Sequence, residues 1–357
     1  MYRGLRPAVL LTAAAAALLP LSACSATPDG GGSTASGGTS GSADIVSLVQ
    51  ADQKTDIDSL SSSLGEPKAP SSDTKLCYVT RTLANEFWGY ERDGFEAEAK
   101  KLGVQFETYA VNDESSITEQ LDKAQSALNQ GCSAILASPI SATALDSVFK
   151  SALSRGIPAI VLNDAKGSVP GVVYVGPDAS TIGQTAADYI AGKLPDGGKV
   201  AMIEGDPGSS NAQNRGKGFN DGLTKHPNLQ LVASQSAKWD TNQAQTIATA
   251  MLTANPDIKA FYAQNDTMAL GVQAAVDAKG LTGKVLIVGT DGIPQAKKQI
   301  DAGAITATVS ERPTTEGTAG VQTALWLLDG KQVPGWVDVP AFIVDKANVA
   351  DYSTGMP

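Results

Sequence analysis

The sequence has very little histidine, cysteine or aromatic side chain. Its 357 residues include one histidine, His226, and three cysteines, and aromatic residues make up 5% of the chain. Catalytic mechanisms that use a histidine base, and metal sites built from several histidines, therefore have a single candidate residue. His226 lies in a Lys-His-Pro-Asn stretch that is typical of a turn, which favours a solvated loop residue. We expect neither a metal nor a cofactor.

An excess of basic residues is also missing. Lys and Arg number 27 against 37 Asp and Glu, which gives a formal net charge of −10 and a pI of about 4.7. A general nucleic-acid binder would show a basic face, so we expect no nucleic-acid partner. Hydrophobic residues make up 42% of the chain and charged residues 18%, which is enough to bury a sizeable core.

Residues 1–23 are predicted to be a signal peptide. Arg3 and Arg6 precede the apolar residues 7–21, a stretch of about 15 residues that is too short for a membrane-spanning helix. Small residues before a cleavage point are typical of signal peptides, and here they lead to Cys24. The Leu-Ser-Ala-Cys sequence resembles the bacterial lipobox, which implies that Cys24 is lipidated and begins the mature protein. An ordinary signal peptide with a chance cysteine is the alternative.

Residues 24–75 are predicted to be the lipidated cysteine and a flexible tether. Residues 25–44 are rich in Gly, Ser and Thr and carry almost no large apolar side chains, so they cannot bury enough surface to offset chain entropy. Residues 45–75 contain one weakly amphipathic stretch that suits at most a marginal helix. We therefore expect ordered structure to begin at about Lys75.

The remainder of the chain alternates short β-branched runs with segments of helical periodicity. The predicted strands are 76–82, 104–110, 133–138, 158–163, 172–176, 199–205, 229–235, 259–265, 284–290 and 306–311. Such alternation predicts an α/β fold with parallel sheets that helices cover on both faces. Ten strands are too many for one open sheet, so we expect two doubly wound, Rossmann-like lobes of five strands each.

Polar and aromatic residues follow most of these strands. In doubly wound sheets ligands bind beyond the carboxyl ends of the strands, so these residues form the candidate site. They are Arg81, Asn85, Phe87, Trp88, Asn163, Asp164, Arg215, Trp239, Asn265, Asp291 and Glu311. Carboxylate, amide and guanidinium groups satisfy hydroxyl groups, and flat aromatic faces stack on a sugar ring. The set therefore predicts a sugar site.

These residues also have structural interpretations. The Asn265-Asp266 pair suits a cap of the helix that follows, with Asp266 expected to be the N-cap. Asp291 with Gly292 suits a simple turn, and Trp88 or Trp239 suits an ordinary core position.

Several segments are similar to one family. They are Thr-Leu-Ala-Asn-Glu-Phe-Trp at 82–88, Asn-Arg-Gly-Lys-Gly-Phe at 214–219, Trp-Asp at 239–240, Ala-Gln-Asn-Asp-Thr-Met-Ala-Leu-Gly at 263–271, Val-Gly-Thr-Asp-Gly-Ile-Pro at 288–294 and Ala-Thr-Val at 307–309. They resemble the ribose/allose-binding group of sugar-binding proteins of ABC importers, and the similarity covers essentially all of 76–345.

The resemblance implies the periplasmic-binding-protein type I fold. Three crossover segments, near Asp178, Glu311 and Val337, would join the lobes. The lobes themselves would comprise 76–178 with 312–337 and 179–311 with 338–357.

The resemblance also implies roles for site residues. Positions that hydrogen-bond sugar hydroxyls match Asn85, Arg215, Asn265 and Asp291, and positions that sandwich the ring match Phe87, Trp88 and Trp239. Arg81 stands where allose- and arabinose-binding proteins carry Lys and ribose-binding proteins Ser, which favours a hexose or polyol. Asn163-Asp164 and Glu311 depart from the usual residues. Arg81 and Glu311 are therefore expected either to pair with each other or to bind a charged ligand.

The function implied is that of a lipoprotein on the outer face of the cell membrane. It would capture a monosaccharide or related polyol between its lobes, close around it and deliver it to ABC permease subunits. We expect a monomer. Alternatives are a partner that is a membrane sensor and a ligand that is a nucleoside or charged sugar derivative. We expect no enzymatic activity, because no carboxylate pair has the spacing logic of a glycoside hydrolase.

Two cysteines remain beside Cys24. Cys77 opens the first predicted strand and Cys132 precedes the third, and a sheet of order 2-1-3-4-5 makes those strands neighbours with both cysteines at one end. Export permits disulfides, so we expect a Cys77–Cys132 disulfide, with two buried thiols as the alternative.

Overall fold

The computed structural model describes residues 44–164 and 167–352. The predicted signal peptide, the predicted lipidation site Cys24 and residues 25–43 of the tether lie outside this part of the chain. None of the helices in the described part is long and apolar enough to cross a membrane.

Strands and helices alternate along the described chain. The strands are β1 (Val49–Asp56), β2 (Lys75–Thr80), β3 (Gln105–Ala110), β4 (Ala134–Ala137), β5 (Ala159–Leu162), β6 (Val173–Gly176), β7 (Gly198–Glu204), β8 (Leu229–Ser236), β9 (Ile258–Ala263), β10 (Leu286–Asp291), β11 (Ala307–Ser310), β12 (Val333–Asp338) and β13 (Phe342–Asp345). The helices are α1 (Ile45–Leu48), α2 (Ile57–Leu64), α3 (Glu86–Lys101), α4 (Ile117–Asn129), α5 (Asp146–Ser154), α6 (Ala179–Lys193), α7 (Ser210–Thr224), α8 (Thr241–Ala254), α9 (Asp266–Ala278), α10 (Pro294–Ala302) and α11 (Pro313–Leu328), followed by a 3₁₀ helix at Val349–Tyr352.

The strands form two sheets, one in each lobe. The first sheet has the order β1-β12-β6-β5-β4-β2-β3, and every neighbouring pair in it is parallel. The second has the order β13-β11-β10-β9-β7-β8 and is parallel except for β13, which pairs antiparallel with β11. Both sheets contain the expected 2-1-3-4-5 order, as β3-β2-β4-β5-β6 and β8-β7-β9-β10-β11. The predicted α/β class with two doubly wound lobes is confirmed.

Helices cover both faces of each sheet, which explains why the strands lack strict polar alternation. In β2, Leu76 and Tyr78 pack in a hydrophobic cluster with residues of α3 and α11, whereas Cys77 and Val79 pack with residues of α4 and α5. All four side chains are fully buried. A strand that is buried on both faces reads as a continuous apolar run.

The segment before Lys75 differs from the sequence prediction. The prediction that the flexible tether extends to residue 75 is wrong for residues 44–64. These residues form α1, β1 and α2. The strand β1 escapes prediction because its sequence, Val-Gln-Ala-Asp-Gln-Lys-Thr-Asp, is polar and its central residues are exposed. It is held by parallel pairing with β12, and Ile57 and Leu60 of α2 are buried in the core of the first lobe. The strands β12 and β13 were likewise not among the ten predicted.

The chain passes between the two sheets at three places. The connections are 177–178 between β6 and α6, 311–312 between β11 and α11, and 339–341 between β12 and β13. They lie within a few residues of the positions expected from the resemblance. The carboxyl ends of the strands of both lobes therefore face one cleft beside these crossovers.

Cys77 and Cys132 form a disulfide, with a Cα–Cα distance of 5.8 Å. The predicted pairing is confirmed. It ties the start of β2 to the turn before β4, the neighbouring strand, so it stabilises the first sheet on the side away from the cleft.

Candidate ligand-binding cleft

Residues of both lobes line a polar cavity of about 310 Å³, part of which is open to solvent. Its wall consists of Arg81, Asn85, Phe87, Trp88, Glu114, Asn163, Ser209, Asn211, Arg215, Trp239, Asn265 and Asp291. All predicted site residues except Asp164 and Glu311 are on this wall. Those two side chains are fully buried and bind wall residues from behind.

Asn85 and Asn265 hold equivalent positions in the two lobes. Each is the N-cap of the helix that follows a strand: Asn85 Oδ1 accepts from the Phe87 N–H at 3.1 Å, and Asn265 Oδ1 accepts from the Met268 N–H at 2.9 Å. Such caps satisfy an N–H group at the start of a helix. Neither Nδ2 group donates to another described residue, so capping orients each side chain with its donor left for the cavity.

The prediction that Asp266 is an N-cap is wrong. Asn265 has extended backbone angles and caps α9, so Asp266 already belongs to the first helical turn. The Asp266 carboxylate instead accepts from the N–H groups of Gly292 at 2.7 Å and Ile293 at 2.9 Å. It therefore fixes the turn after β10, which carries Asp291.

Strained backbone is concentrated at the cleft. Among the described residues, the non-glycine residues with positive φ are Asn163 (61°), Lys238 (51°), Trp239 (67°) and Asp291 (121°). Three of them line the cavity, and Lys238 precedes one of these three. Such conformations are disfavoured for residues with a Cβ and persist where the surroundings impose them, often at functional sites.

Arg81 is held within the first lobe. Its guanidinium binds the Asp164 carboxylate and the Pro139 carbonyl oxygen, and its Nη1 lies 3.9 Å from Glu114. The same group lies 4.9 Å from the centre of the Trp88 ring, a cation–π contact. The alternative that Arg81 pairs with Glu311 is therefore wrong, because Asp164, which follows β5 two strands away in the same sheet, takes that role.

Arg215 is held between the second lobe and a crossover. Its Nη2 binds Glu311, its Nη1 donates to the Gln264 carbonyl oxygen at 2.7 Å, and Asp291 lies 3.8 Å away. Glu311 also accepts a 2.7 Å hydrogen bond from Asn163 Nδ2 in the first lobe. This carboxylate therefore links groups of both lobes at the crossover after β11.

Burial shifts the pKa values of Arg215, Glu311 and Asp291. Loss of water raises the pKa of Glu311 and of Asp291, and the Arg215 guanidinium opposes both shifts. Burial also disfavours a charged guanidinium, but the carboxylates of Glu311 and Asp291 outweigh this effect and raise the pKa of Arg215. The charged pairs are thus stabilised by each other rather than by solvent.

Two further buried carboxyl groups lie behind the first-lobe wall. Glu91 of α3 accepts from Tyr78 Oη and from Ser138 Oγ, the latter at 2.6 Å, and Glu316 of α11 accepts from Asn163 Nδ2 at 3.1 Å. Burial raises the pKa of Glu91 to about 7, although these hydroxyl groups favour its charged form. A search of strand ends misses both residues because they lie on helices.

Three wall residues, Glu114, Ser209 and Asn211, are not among the predicted site residues. Glu114 follows β3, and Ser209 and Asn211 lie at the start of α7, so the strand-end rule applied to every strand would have found them. Asn211 Nδ2 donates to Asn163 Oδ1 at 2.8 Å and Ser209 Oγ to Asp164 at 3.4 Å, which joins the lobes directly. His226 lies in the turn after α7, near Asp188 and away from the cavity wall.

Comparison with known proteins identifies the family. Residues 76–332 match the family model described as the periplasmic binding protein domain. The chain belongs to this family. The assignment places it among exported binding proteins.

Two relatives in this family bind polyhydroxy compounds. The D-allose-binding periplasmic protein of Escherichia coli strain K12 is 39% identical over 254 residues, which cover 68% of this chain and 81% of that protein. The xylitol-binding protein of Mycolicibacterium smegmatis is 31% identical over 286 residues, which cover 79% of this chain and 81% of that protein.

One solved structure matches the fold of this chain along the whole length of the solved protein. It is an ABC transporter periplasmic solute-binding protein of Actinobacillus succinogenes 130z with bound D-allose. It is 30% identical, has a TM-score of 0.74, and the match covers 78% of this chain and 100% of that one. Residues 44–75 of the present chain, with β1, precede the region that the family model matches.

Proposed function

We propose that this protein captures a monosaccharide or a related polyol in the cleft between its lobes and delivers it to an ABC importer. The observation that carries this proposal is the composition of the cavity wall, where amide, guanidinium and carboxylate groups from both lobes surround a space beside three aromatic side chains. A sugar hydroxyl is both a donor and an acceptor, so such a wall can satisfy it. The relatives that bind D-allose and xylitol support this ligand class.

Named atoms support roles for individual residues. The free Nδ2 groups of Asn85 and Asn265 would donate to hydroxyl oxygens, and the Asp291 carboxylate would accept from hydroxyl groups. Phe87, Trp88 and Trp239 would pack against the apolar faces of the ring. Asp164 and Glu311, which bind Arg81 and Arg215 from behind, would orient the two guanidinium groups rather than touch the ligand.

Closure of the cleft would couple binding to transport. Groups that contact the ligand come from both lobes, so a ligand that bridges them favours the closed arrangement over an open one. The three crossover segments at 177–178, 311–312 and 339–341 would act as the hinge. We take residues 44–178 with 312–338 as one lobe and 179–311 with 339–352 as the other, because Asp338 still pairs with Gly176 in the first sheet. The permease would recognise the closed form.

A lipid on Cys24 would hold a monomeric protein at the outer face of the membrane. Cys24→Ala should move the protein from the membrane fraction to the soluble fraction of lysed cells. Retention of the variant in membranes would argue against the lipid anchor without bearing on ligand binding.

Binding without chemical conversion is the expected outcome at this site. Asp164 and Glu311 are committed to arginine side chains, which leaves them poorly placed as a hydrolytic acid and base. A ligand recovered unchanged by NMR after prolonged incubation with the protein would agree with this proposal. Appearance of a product would contradict it.

The proposal is tested by calorimetric titration of the purified protein with D-allose, D-ribose, xylitol and myo-inositol. At least one should bind, and at about 100 times its dissociation constant should stabilise the fold by roughly 2.7 kcal/mol. Asp291→Asn should weaken binding by about tenfold or more, since a charged hydrogen-bond acceptor is lost. Asp301→Asn, an exposed carboxylate outside the cleft, is the matched control. No binding by any of the four would contradict the proposal.

A further inference from the structure

Two buried polar atoms on the cavity wall have no hydrogen-bond partner among the described residues. They are Glu114 Oε2 and Arg215 Nε. Other described atoms in this condition belong to residues that are not on the wall. A buried polar atom without a partner is costly, so at the cavity it indicates a place where a ligand completes the hydrogen bonding. One atom is an acceptor from the first lobe and the other a donor from the second.

The orientation of Glu114 is fixed by its other oxygen. Oε1 accepts from Trp88 Nε1 at 3.0 Å and lies 3.9 Å from Arg81 Nη1. Burial raises the pKa of Glu114, while Arg81, Trp88 and the backbone N–H of Thr82 favour the carboxylate. The indole therefore holds one oxygen while the other is left to accept from a group in the cavity.

Each arginine of the cleft already has a carboxylate partner, and further carboxylates lie on the wall. Arg81 pairs with Asp164 and Arg215 pairs with Glu311. Glu114 and Asp291 are further carboxylates on the same wall, so the described wall offers an anionic ligand two arginines that each already hold a carboxylate. An anion placed here would add a buried charge beside acidic groups.

The mouth of the cleft repeats this pattern. A wider space of about 1720 Å³, which includes open solvent, adjoins the inner cavity, and Arg81, Asn85, Glu114 and Trp239 line both. The charged residues that line this outer space are Arg81, Asp113, Glu114, Asp206, Lys238 and Asp240. Acidic groups outnumber basic ones, which disfavours the approach of an anion.

We propose that Glu114 is a specificity-determining residue that accepts a hydrogen bond from a ligand hydroxyl, and that the cleft selects uncharged polyhydroxy compounds over sugar acids and sugar phosphates. This inference rests on the proposed function and names the substrate class within it. It replaces the expectation that Arg81 and Glu311 bind a charged ligand. Binding at Glu114 and at Arg215 Nε together would also need both lobes, which ties selection to closure.

The test compares neutral and anionic probes by calorimetric titration of the wild-type protein and of Glu114→Gln. The neutral probes are D-allose, D-ribose, xylitol and myo-inositol, and the anionic probes are D-allose 6-phosphate, D-ribose 5-phosphate, D-xylonate and D-glucuronate. The best neutral probe should bind at least about 100-fold more tightly than any anionic probe. Glu114→Gln keeps an oxygen for Trp88 but turns an amide donor toward the ligand, and should weaken the best neutral probe by about 10- to 100-fold.

Asp122→Asn is the matched control, because it changes an exposed carboxylate of α4 that lines neither the inner cavity nor the wider outer space. It should bind the neutral probe as the wild type does. A tightest ligand that is anionic would overturn the inference but leave a binding protein in place. Equal affinity of Glu114→Gln, with its fold verified by near-UV circular dichroism, would overturn the role of Glu114. Absence of binding by every probe would overturn the proposed function and this inference with it.

Discussion

The two buried arginines of the cleft are neutralised by carboxylates in different surroundings. We call Arg81 with Asp164 the Arg81 pair, and Arg215 with Glu311 the Arg215 pair. The Arg81 pair forms inside the first lobe, where the guanidinium also has the Pro139 carbonyl and the Trp88 ring. The Arg215 pair spans the second lobe and a crossover, and Glu311 also binds Asn163 of the first lobe. The first pair can persist when the lobes separate, whereas the second depends on how the crossover is placed.

The difference predicts that the Arg215 pair is the more sensitive to substitution. Both of its side chains are buried, at 4% and 0% exposure, and removal of one charge leaves the other without compensation. Glu311→Gln should lower the free energy of unfolding by about 3 kcal/mol or more, the range found for breaking a buried ion pair. Chemical denaturation at pH 7 measures it.

Glu66→Gln is the control for this measurement. Glu66 is 69% exposed and pairs only at 3.5 Å with Lys101, so its loss should cost less than about 0.5 kcal/mol. A Glu311→Gln loss of similar size would show that Arg215 does not need its charged partner, and the distinction between the two pairs would fail.

Asp164→Asn should have a smaller effect, about 2 kcal/mol, because Arg81 retains other partners. These are the Pro139 carbonyl, the Trp88 ring and the Glu114 carboxylate at 3.9 Å. The same denaturation experiment measures it, with Asp221→Asn at an exposed helix pair as the control. A loss larger than that of Glu311→Gln would reverse the order that the geometry predicts.

The residues of both pairs could be located from the sequence, but their pairing could not. The rule that sites lie at strand ends found Arg81, Asp164, Arg215 and Glu311, because it follows from the parallel topology alone. Which carboxylate reaches which guanidinium depends on side-chain directions and lobe placement, which periodicity does not encode. The expected pairing of Arg81 with Glu311 is therefore replaced by Arg81 with Asp164 and Arg215 with Glu311.

The fold was predictable wherever burial leaves an apolar pattern in the sequence. All ten strands with such runs are present, since helices cover both faces of the sheets. The strand β1 was not predictable, because its exposed residues form a polar sequence and its pairing with β12 joins residues more than 280 positions apart. The Glu91 and Glu316 carboxyl groups were equally hidden, since they lie within α3 and α11 rather than after a strand.

Among the buried carboxyl groups of the first lobe, Glu91 should make the free energy of unfolding depend on pH. Burial raises the pKa of Glu91 from 4.5 to about 7, so the folded protein holds a proton that the unfolded chain releases. The contribution of Glu91 to stability is therefore fully present below about pH 4.5 and is lost as the pH rises toward 7. Glu91→Gln keeps an acceptor for Tyr78 and Ser138 without titrating, and should flatten the decline in unfolding free energy between pH 5 and 7.

Urea denaturation at pH 5, 6 and 7 measures this slope. Glu107→Gln is the control with the opposite sign, because Lys75 lowers the pKa of Glu107, so its contribution is lost only as the pH falls through the acid range. An unchanged slope in Glu91→Gln would mean that Glu91 does not exchange its proton in this range.

The smallest effect is expected at the outer edge of the first sheet, where an ion pair is open to solvent. Lys54 of β1 lies 3.2 Å from Asp338 of β12 and 4.1 Å from the centre of the Trp336 ring, with side-chain exposures of 42% for Lys54 and 19% for Asp338. Solvent screens such a pair, so a double-mutant cycle of Lys54→Ala and Asp338→Ala should give a coupling energy below about 1 kcal/mol that decreases further in 1 M salt. We expect this exposed ion pair to contribute several times less to the free energy of unfolding than the buried Arg215 pair does. A coupling energy near 3 kcal/mol for Lys54 and Asp338 would mean that burial does not explain the difference between the cleft pairs and surface pairs.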